Sequence, residues 1–195
     1  MSWIGWEELD IYQMPPDYSP GAFDCGKGDM NDYLLDGSAH ADCASNFAQT
    51  WLTRHDGLVI GYVTALADAI QLDEKERPAG VRYTTAPALK LGRLAVCESH
   101  AGRGVGTHLV NHVVGMARSL SALAGCRYVT LDAHPDKIGW YERQDFVKNE
   151  VHPAAVKAIL KLVRHIKHPR APENVSMRLD ILLDAERTKA TISRS

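Results

Sequence analysis

The sequence predicts a mixed α/β sheet, on three observations. Asp56-Gly57 separates two apolar runs, Phe47 to Arg54 and Leu58 to Ala67, and Asp-Gly between such runs is a strong hairpin signal. Val105, Leu109, Val113, Met116 and Leu120 fall on one stripe of a long amphipathic helix. Around that helix the order is strand, loop, helix, strand, the alternation of an α/β sheet.

Taken in order, a first strand is expected at Glu8 to Met14, where Leu9, Ile11 and Tyr12 alternate until Pro15-Pro16 stops the run. After a loop rich in Pro, Asp and Gly, Asp29 offers a side-chain oxygen to cap a helix over Met30 to Asp36. Helix resumes through Ala39 to Ala44, with Gly37 the weak point between the two. The hairpin follows. Gln71 to Pro87 is polar, with a charge cluster at Asp73 to Arg77, and reads as the longest loop. Ala88 to Val96 returns to strand, Gly104 to Leu123 is the long helix, and Gly125 ends it. Arg127 to Ala133 then reads as strand, Lys137 to Arg143 as a short helix and Phe146 to Val151 as strand. Pro153 suits the first turn of a helix reaching Ile166, and Asn174 to Leu183 is the expected last strand. The whole, residues 1–195, reads as a single domain with its core over 8–183 and a frayed polar tail over 184–195.

Composition narrows the function. With 195 residues, 45% hydrophobic and 24% charged, the chain can bury a core and is not expected to be disordered. A net charge of −2 gives no global attraction to nucleic acid or membrane, so any such partner must be met by a local patch. No apolar run approaches the roughly 20 residues that span a bilayer, and the first residues lack the pattern of a signal peptide. Cys25, Cys43, Cys97 and Cys126 stand far apart, as reduced thiols of a cytoplasmic protein do. His108 and His112 have a metal-compatible spacing, but no Glu follows His108 and no third ligand is evident; no metal is expected. Trp3, Trp6, Trp51 and Trp140 are expected as core or interface anchors.

The informative stretch is Leu94-Ala95-Val96, a short turn, then Gly102-Arg103-Gly104-Val105-Gly106-Thr107 opening the long helix. Glycines let backbone approach a ligand closely, and amides converging at a helix start, with the dipole behind them, suit a phosphate or diphosphate. Arg103 adds a cation for phosphate oxygens. A plain tight turn explains the same glycines. A dinucleotide-binding unit fits poorly, because Thr107 or Leu109 stands where its third glycine belongs.

The segment Leu91 to Gly106, followed by Tyr141-Glu142-Arg143-Gln144-Asp145-Phe146, resembles the GNAT N-acetyltransferase superfamily over about Leu9 to Leu183. Ala101 stands where that family usually has Gln or Arg, and Asp145 where it commonly has Gly, for which a local turn difference is expected. The resemblance implies a mostly antiparallel sheet flanked by helices, with the strand at Leu94 to Val96 splayed from Val129 to Asp132. It implies acetyl-CoA as cosubstrate, held by Leu94, Ala95 and Val96 through backbone groups and by Gly102, Arg103, Gly104, Val105, Gly106 and Thr107 at its phosphates. By the same resemblance the Val96 amide stabilises the oxyanion and Tyr141 is the general acid, although packing beside Trp140 and Phe146 would also account for this phenol. Glu98, His100, Asp132 and His134 lie near strand ends that could face the site, yet an amine with a pKa of about 8 is partly neutral at pH 7 and needs no dedicated base.

Two further stretches, Phe23-Asp24-Cys25-Gly26 with Met30 to Leu34 and Leu91 to Val96, resemble the aminoacyl-tRNA-acetylating toxins of bacterial toxin–antitoxin pairs. That implies the α-amino group of an aminoacyl-tRNA as acceptor, Arg93 facing its acceptor end, a cognate antitoxin, and a possible homodimer. Val151 to Pro172 carries Lys157, Lys161, Arg164, Lys167 and Arg170 and no acid, as either a nucleic-acid contact or an ordinary solvated helix face. A small-molecule or protein amine as acceptor, or a non-catalytic acyl-CoA-binding module, stays open at this stage.

Overall fold

Asp56 and Gly57 close the predicted hairpin at positive φ, 49° and 79°, as the turn that follows strand twist requires. They join β2 (Gln49–His55) to β3 (Leu58–Gln71), in a register that opposes His55 to Leu58. The computed structural model describes residues 2–19, 21–149 and 174–183. Beside the hairpin strands lie β1 (Asp10–Gln13), β4 (Thr85–Val96), β5 (Tyr128–Ala133), β6 (Val147–Lys148) and β7 (Val175–Asp180). The seven form a sheet of order β1-β2-β3-β4-β5-β7-β6. The pairs β1–β2, β2–β3, β5–β7 and β6–β7 are antiparallel. The helices are α1 (Gly28–Leu35), α2 (Ser38–Ala44), α3 (Val105–Ala124) and α4 (Ile138–Glu142).

The chain folds as two compact units, Met1–Asp68 with Leu89–Cys126, and Ala69–Ala88 with Arg127–Ser195. In the first, Ile60 to Ala65 of β3 is buried without a break, the pattern of a strand covered on both faces. On one face Leu52 and Tyr62 pack with Phe23, Tyr33 and Leu34. On the other, α3 crosses at Gly61, where an added Cβ would lie 2.9 Å from Thr53 and 3.3 Å from Leu109. In the second unit β7 is the centre. It pairs with β5 from Tyr128↔Asp180 to Ala133↔Val175, and with β6 at Val147↔Arg178. Arg127 donates to Asp180 at 2.6 Å, and Arg178 pairs with Glu76 where both side chains are largely buried.

Several expectations shift. Helix α1 starts at Lys27 as N-cap, with no side-chain bond, and Asp29 lies inside the first turn, where it suits the dipole. Strand β3 runs past Ala67 to Gln71. Along α3 the buried stripe takes in Val110, Val114 and Ala117 instead of Met116 and Leu120, which sit at its edge. The last strand stops at Asp180, and Ile181 to Leu183 turn into helix. Asp145 sits at φ 64°, the left-handed conformation a glycine would take, so the family's turn is kept. Trp3 and Trp6 are exposed, at 61% and 57%, and are not core anchors. The expected helix Pro153 to Ile166 and its basic face lie outside the described residues.

Candidate active site

In the first unit the predicted loop is built from the end of β4. The Cys97 amide donates to Ile60 at 2.8 Å and the Arg93 amide to Thr64 Oγ1 at 2.8 Å. Odd-numbered residues of β4 therefore turn their amides toward β3, and by strand alternation those of Leu94 and Val96 point to the other edge. That is the orientation the oxyanion and pantetheine roles require. Glu98–His100 then makes a 3-10 turn, closed by Ala101 N–H on Glu98 at 3.1 Å.

Gly102 and Gly104 follow at φ 73° and 91°, and Gly104 is the N-cap of α3. The first helical bond runs from His108 N–H to Gly104 at 3.1 Å, so the amides of Gly104, Val105, Gly106 and Thr107 precede the helical ladder. Gly106 needs no positive φ; it lies in the first turn of α3. Nothing stands within 4 Å of a Cβ built at Gly102, which leaves that side of the loop open. At Gly104 the built Cβ meets the Trp3 indole at 2.5 Å, so the glycine is required there by a tryptophan. Arg103 donates through Nε to Ser2 O at 3.2 Å, which fixes the root of its guanidinium. Four leading amides on a 20-residue helix, an open glycine and a held arginine fit a diphosphate.

The Arg93 side chain of β4 packs against α1. Its guanidinium sits 4.4 Å from the centre of the Tyr33 ring, with Nη1 3.7 Å from Met30 Sδ. No carboxylate pairs with it among the described residues. Tyr62 donates to the Met30 carbonyl at 2.8 Å and Tyr33 to Asp42 at 2.9 Å, so the platform beneath Arg93 is fixed.

A lock that the sequence reading missed holds α1. Asp24 Oδ1 accepts from Gly26 N–H at 2.9 Å and Asn31 Nδ2 at 2.8 Å, while Asn31 Oδ1 accepts from Cys25 N–H at 3.0 Å. Those two bonds, the Gly26 amide first, hold the Asp24 carboxyl below its ordinary pKa. The Asp24 carbonyl also accepts from Glu98 N–H at 3.0 Å, which ties α1 to the turn before the loop. Asp-x-Gly is a local turn signature and was readable; the Asn31 and Glu98 partners carry no such signal.

In the second unit Tyr141 is buried in α4, edge-on to Trp140 at 4.7 Å and Phe146 at 5.7 Å. The packing part of its expectation is met, and burial pushes the phenol up to about 12. Of the candidate bases, Glu98 lies against Gly26, and His100 accepts or donates at Ser99 Oγ and stands 5.8 Å from the His55 ring. His134 is engaged with Asp136.

In the first unit, the leading amides of α3 and the held Arg103 suit the phosphates of an acyl carrier. The chain belongs to the acetyltransferase (GNAT) domain family, whose pattern matches residues 46–148. It is an acetyl-CoA-dependent N-acetyltransferase. It is similar to a tRNA-acetylating toxin of Mycobacterium tuberculosis, 26% identical over 147 residues, 73% of this chain and 87% of that protein. Its fold matches the AtaT toxin complexed with acetyl-methionyl-tRNAfMet, at 23% identity and a TM-score of 0.68 over 79% of this chain and 98% of that one. It also matches a tyrosine-to-phenylalanine variant of AtaT bound to the C-terminus of the antitoxin AtaR and acetyl-CoA, at 19% identity and a TM-score of 0.66, covering 89% and 94% of the two chains. Among the described residues no helix is long and apolar enough to cross a membrane.

Proposed function

We propose that this enzyme acetylates the α-amino group of an aminoacyl-tRNA, as the toxin of a toxin–antitoxin pair in the cytoplasm. The observation that carries the acceptor is Arg93, a cation without a carboxylate among the described residues, held flat on Tyr33 beside Met30. Such a group suits the phosphate oxygens near the 3′ end of a charged tRNA. The 26% identity to a tRNA-acetylating toxin supports the same acceptor. An antitoxin partner is supported by AtaT's complex with AtaR.

In this reading acetyl-CoA supplies the activated thioester, and the remaining work falls to the chain. The leading amides of α3 and Arg103 bind the diphosphate, while Leu94 and Val96 align the pantetheine along β4; Ala95, expected to join them, turns its carbonyl toward Gly61 of β3. The Val96 N–H stabilises charge on the carbonyl oxygen. Tyr141 hydrogen-bonds the departing sulfur. The acceptor amine enters neutral, its nitrogen bonds the carbonyl carbon as the C–S bond breaks, and the proton it gives up to water is matched by one that the departing thiolate takes from water, leaving coenzyme A as the free thiol.

The test is direct. Purified enzyme is offered acetyl-CoA with charged tRNAs, and separately with a polyamine, an aminoglycoside and a peptide amine. Acetylated aminoacyl-tRNA with little product from the others is expected. Product from a small amine or a peptide, and none from any charged tRNA, overturns the acceptor while leaving the enzyme class intact.

A further inference from the structure

We propose that Trp3, Ile4 and His108 are positioning residues for the acyl donor, holding the Arg103–Gly104 peptide with its N–H turned toward the diphosphate. The inference rests on the donor reading of the loop. The segment Ser2 to Ile4 makes three contacts here, two on that peptide and one on His108.

The Ile4 amide donates to the Arg103 carbonyl at 2.9 Å. Among the described residues no peptide bond is cis. In a trans peptide the carbonyl and the following N–H point opposite ways, so this bond turns the Gly104 N–H away from the segment. His108 closes the circuit. Its Nε2 lies 3.1 Å from the Ile4 carbonyl, and since a carbonyl only accepts, Nε2 carries the proton. Its own amide donates to the Gly104 carbonyl at 3.1 Å. One residue of α3 thus grips both the segment and the loop.

Trp3 supplies the third contact. Its indole covers the position a Gly104 side chain would take, at 2.5–2.7 Å from the built Cβ, and meets the His108 ring edge-on at 5.8 Å. At 61% exposure Trp3 contributes little to the core, whereas Ile4, at 1%, anchors the segment. A glycine at φ 91° can rotate its peptide at small cost. The indole and the Ile4 bond remove that freedom before the donor arrives, which is preorganisation of the anion site.

Trp3→Ala and His108→Leu in the full chain are compared with wild type by calorimetry, using coenzyme A and, by competition, pantetheine, which lacks the diphosphate. Coenzyme A should bind about 10-fold more weakly to either variant, a loss of about one charge-assisted hydrogen bond, with pantetheine unchanged. KM for acetyl-CoA should rise while kcat at saturation holds. His108→Gln, which keeps a donor for the Ile4 carbonyl, should recover most of the affinity, and it covers the case of a misfolded Leu variant. Unchanged coenzyme A affinity in Trp3→Ala and His108→Leu overturns the inference, as do equal losses for coenzyme A and pantetheine. Wild-type protein that binds no coenzyme A overturns the donor reading itself, and this inference with it.

Discussion

Burial holds the Tyr141 phenol at about 12, so it stays un-ionised across the neutral range. Full proton transfer to a thiolate of ordinary pKa, about 8.5, is then uphill. In the role proposed for it, its help is a hydrogen bond that strengthens as charge grows on sulfur, an interaction made mainly in the transition state. Tyr141→Phe should lower single-turnover acetylation by about 10²-fold with acetyl-CoA affinity unchanged. The wild-type rate should also show no fall centred near pH 10; a fall there that the Phe variant lacks would assign Tyr141 an ordinary, solvated phenol. His112 makes a second residue-scale case. Its Nε2 is buried without a partner, 4.5 Å separates its ring from that of Trp51, and burial lowers its pKa from 6.5. Because the unfolded chain binds that proton more readily, stability falls as pH drops below about 6.5 toward the lower folded value. His112→Phe should flatten this part of the pH dependence, read by urea unfolding, and an unchanged slope would show that His112 does not titrate there. The chemistry of single residues was legible only where a local pattern carried it. Gly104 was legible as a special backbone position, but its Trp3 neighbour is about a hundred residues distant in the chain, and nothing local encodes that contact.

At the scale of elements, periodicity placed the long helix well and its buried face less well. Met116 and Leu120 continue the apolar spacing, yet Val110, Val114 and Ala117 are the residues covered. The turn-by-turn pattern fixes a helix, while the face it buries depends on what it crosses. Here that is β3 at Gly61, which the sequence offers as an unremarked glycine inside a strand. Gly61→Ala would put a methyl within 2.9 Å of Thr53 Cγ2 and 3.0 Å of the Ala95 carbonyl. The variant should lose about 1–3 kcal/mol, the usual cost of overpacking a tight contact, measured by denaturant unfolding. A loss under a few tenths would mean that α3 rides further from the sheet. The early hairpin was legible almost to the residue because Asp-Gly encodes its own turn. The extension of β3 past Ala67 was not, since Asp68 and Gln71 read as polar loop and are held in strand by neighbours that the local pattern cannot name.

For the molecule as a whole, the path from β6 to β7 matters most. Asn149 donates through its amide to Ser176 at 2.9 Å and through Nδ2 to Ser176 Oγ at 2.8 Å, and it accepts from Arg178 at 2.9 Å. Asn149 and Ser176, close to the two ends of the described chain here, are therefore joined side by side on the sheet. Replacing residues 151–172 with a short Gly-containing turn should keep coenzyme A affinity within about twofold, since the residues proposed to bind it lie elsewhere, an effect of under about 0.4 kcal/mol. If the stretch touches tRNA phosphates, the same exchange should reduce the salt dependence of tRNA binding; an unchanged salt slope would leave that stretch as a solvated face. The late position of β7 has another effect. Sequence order puts it last of the described strands, yet it lies between β5 and β6. On the ribosome, both neighbours and the tyrosine between them emerge before the strand that joins them. The part of the sheet that flanks Tyr141 in the chain thus stays incomplete until β7 has left the ribosome.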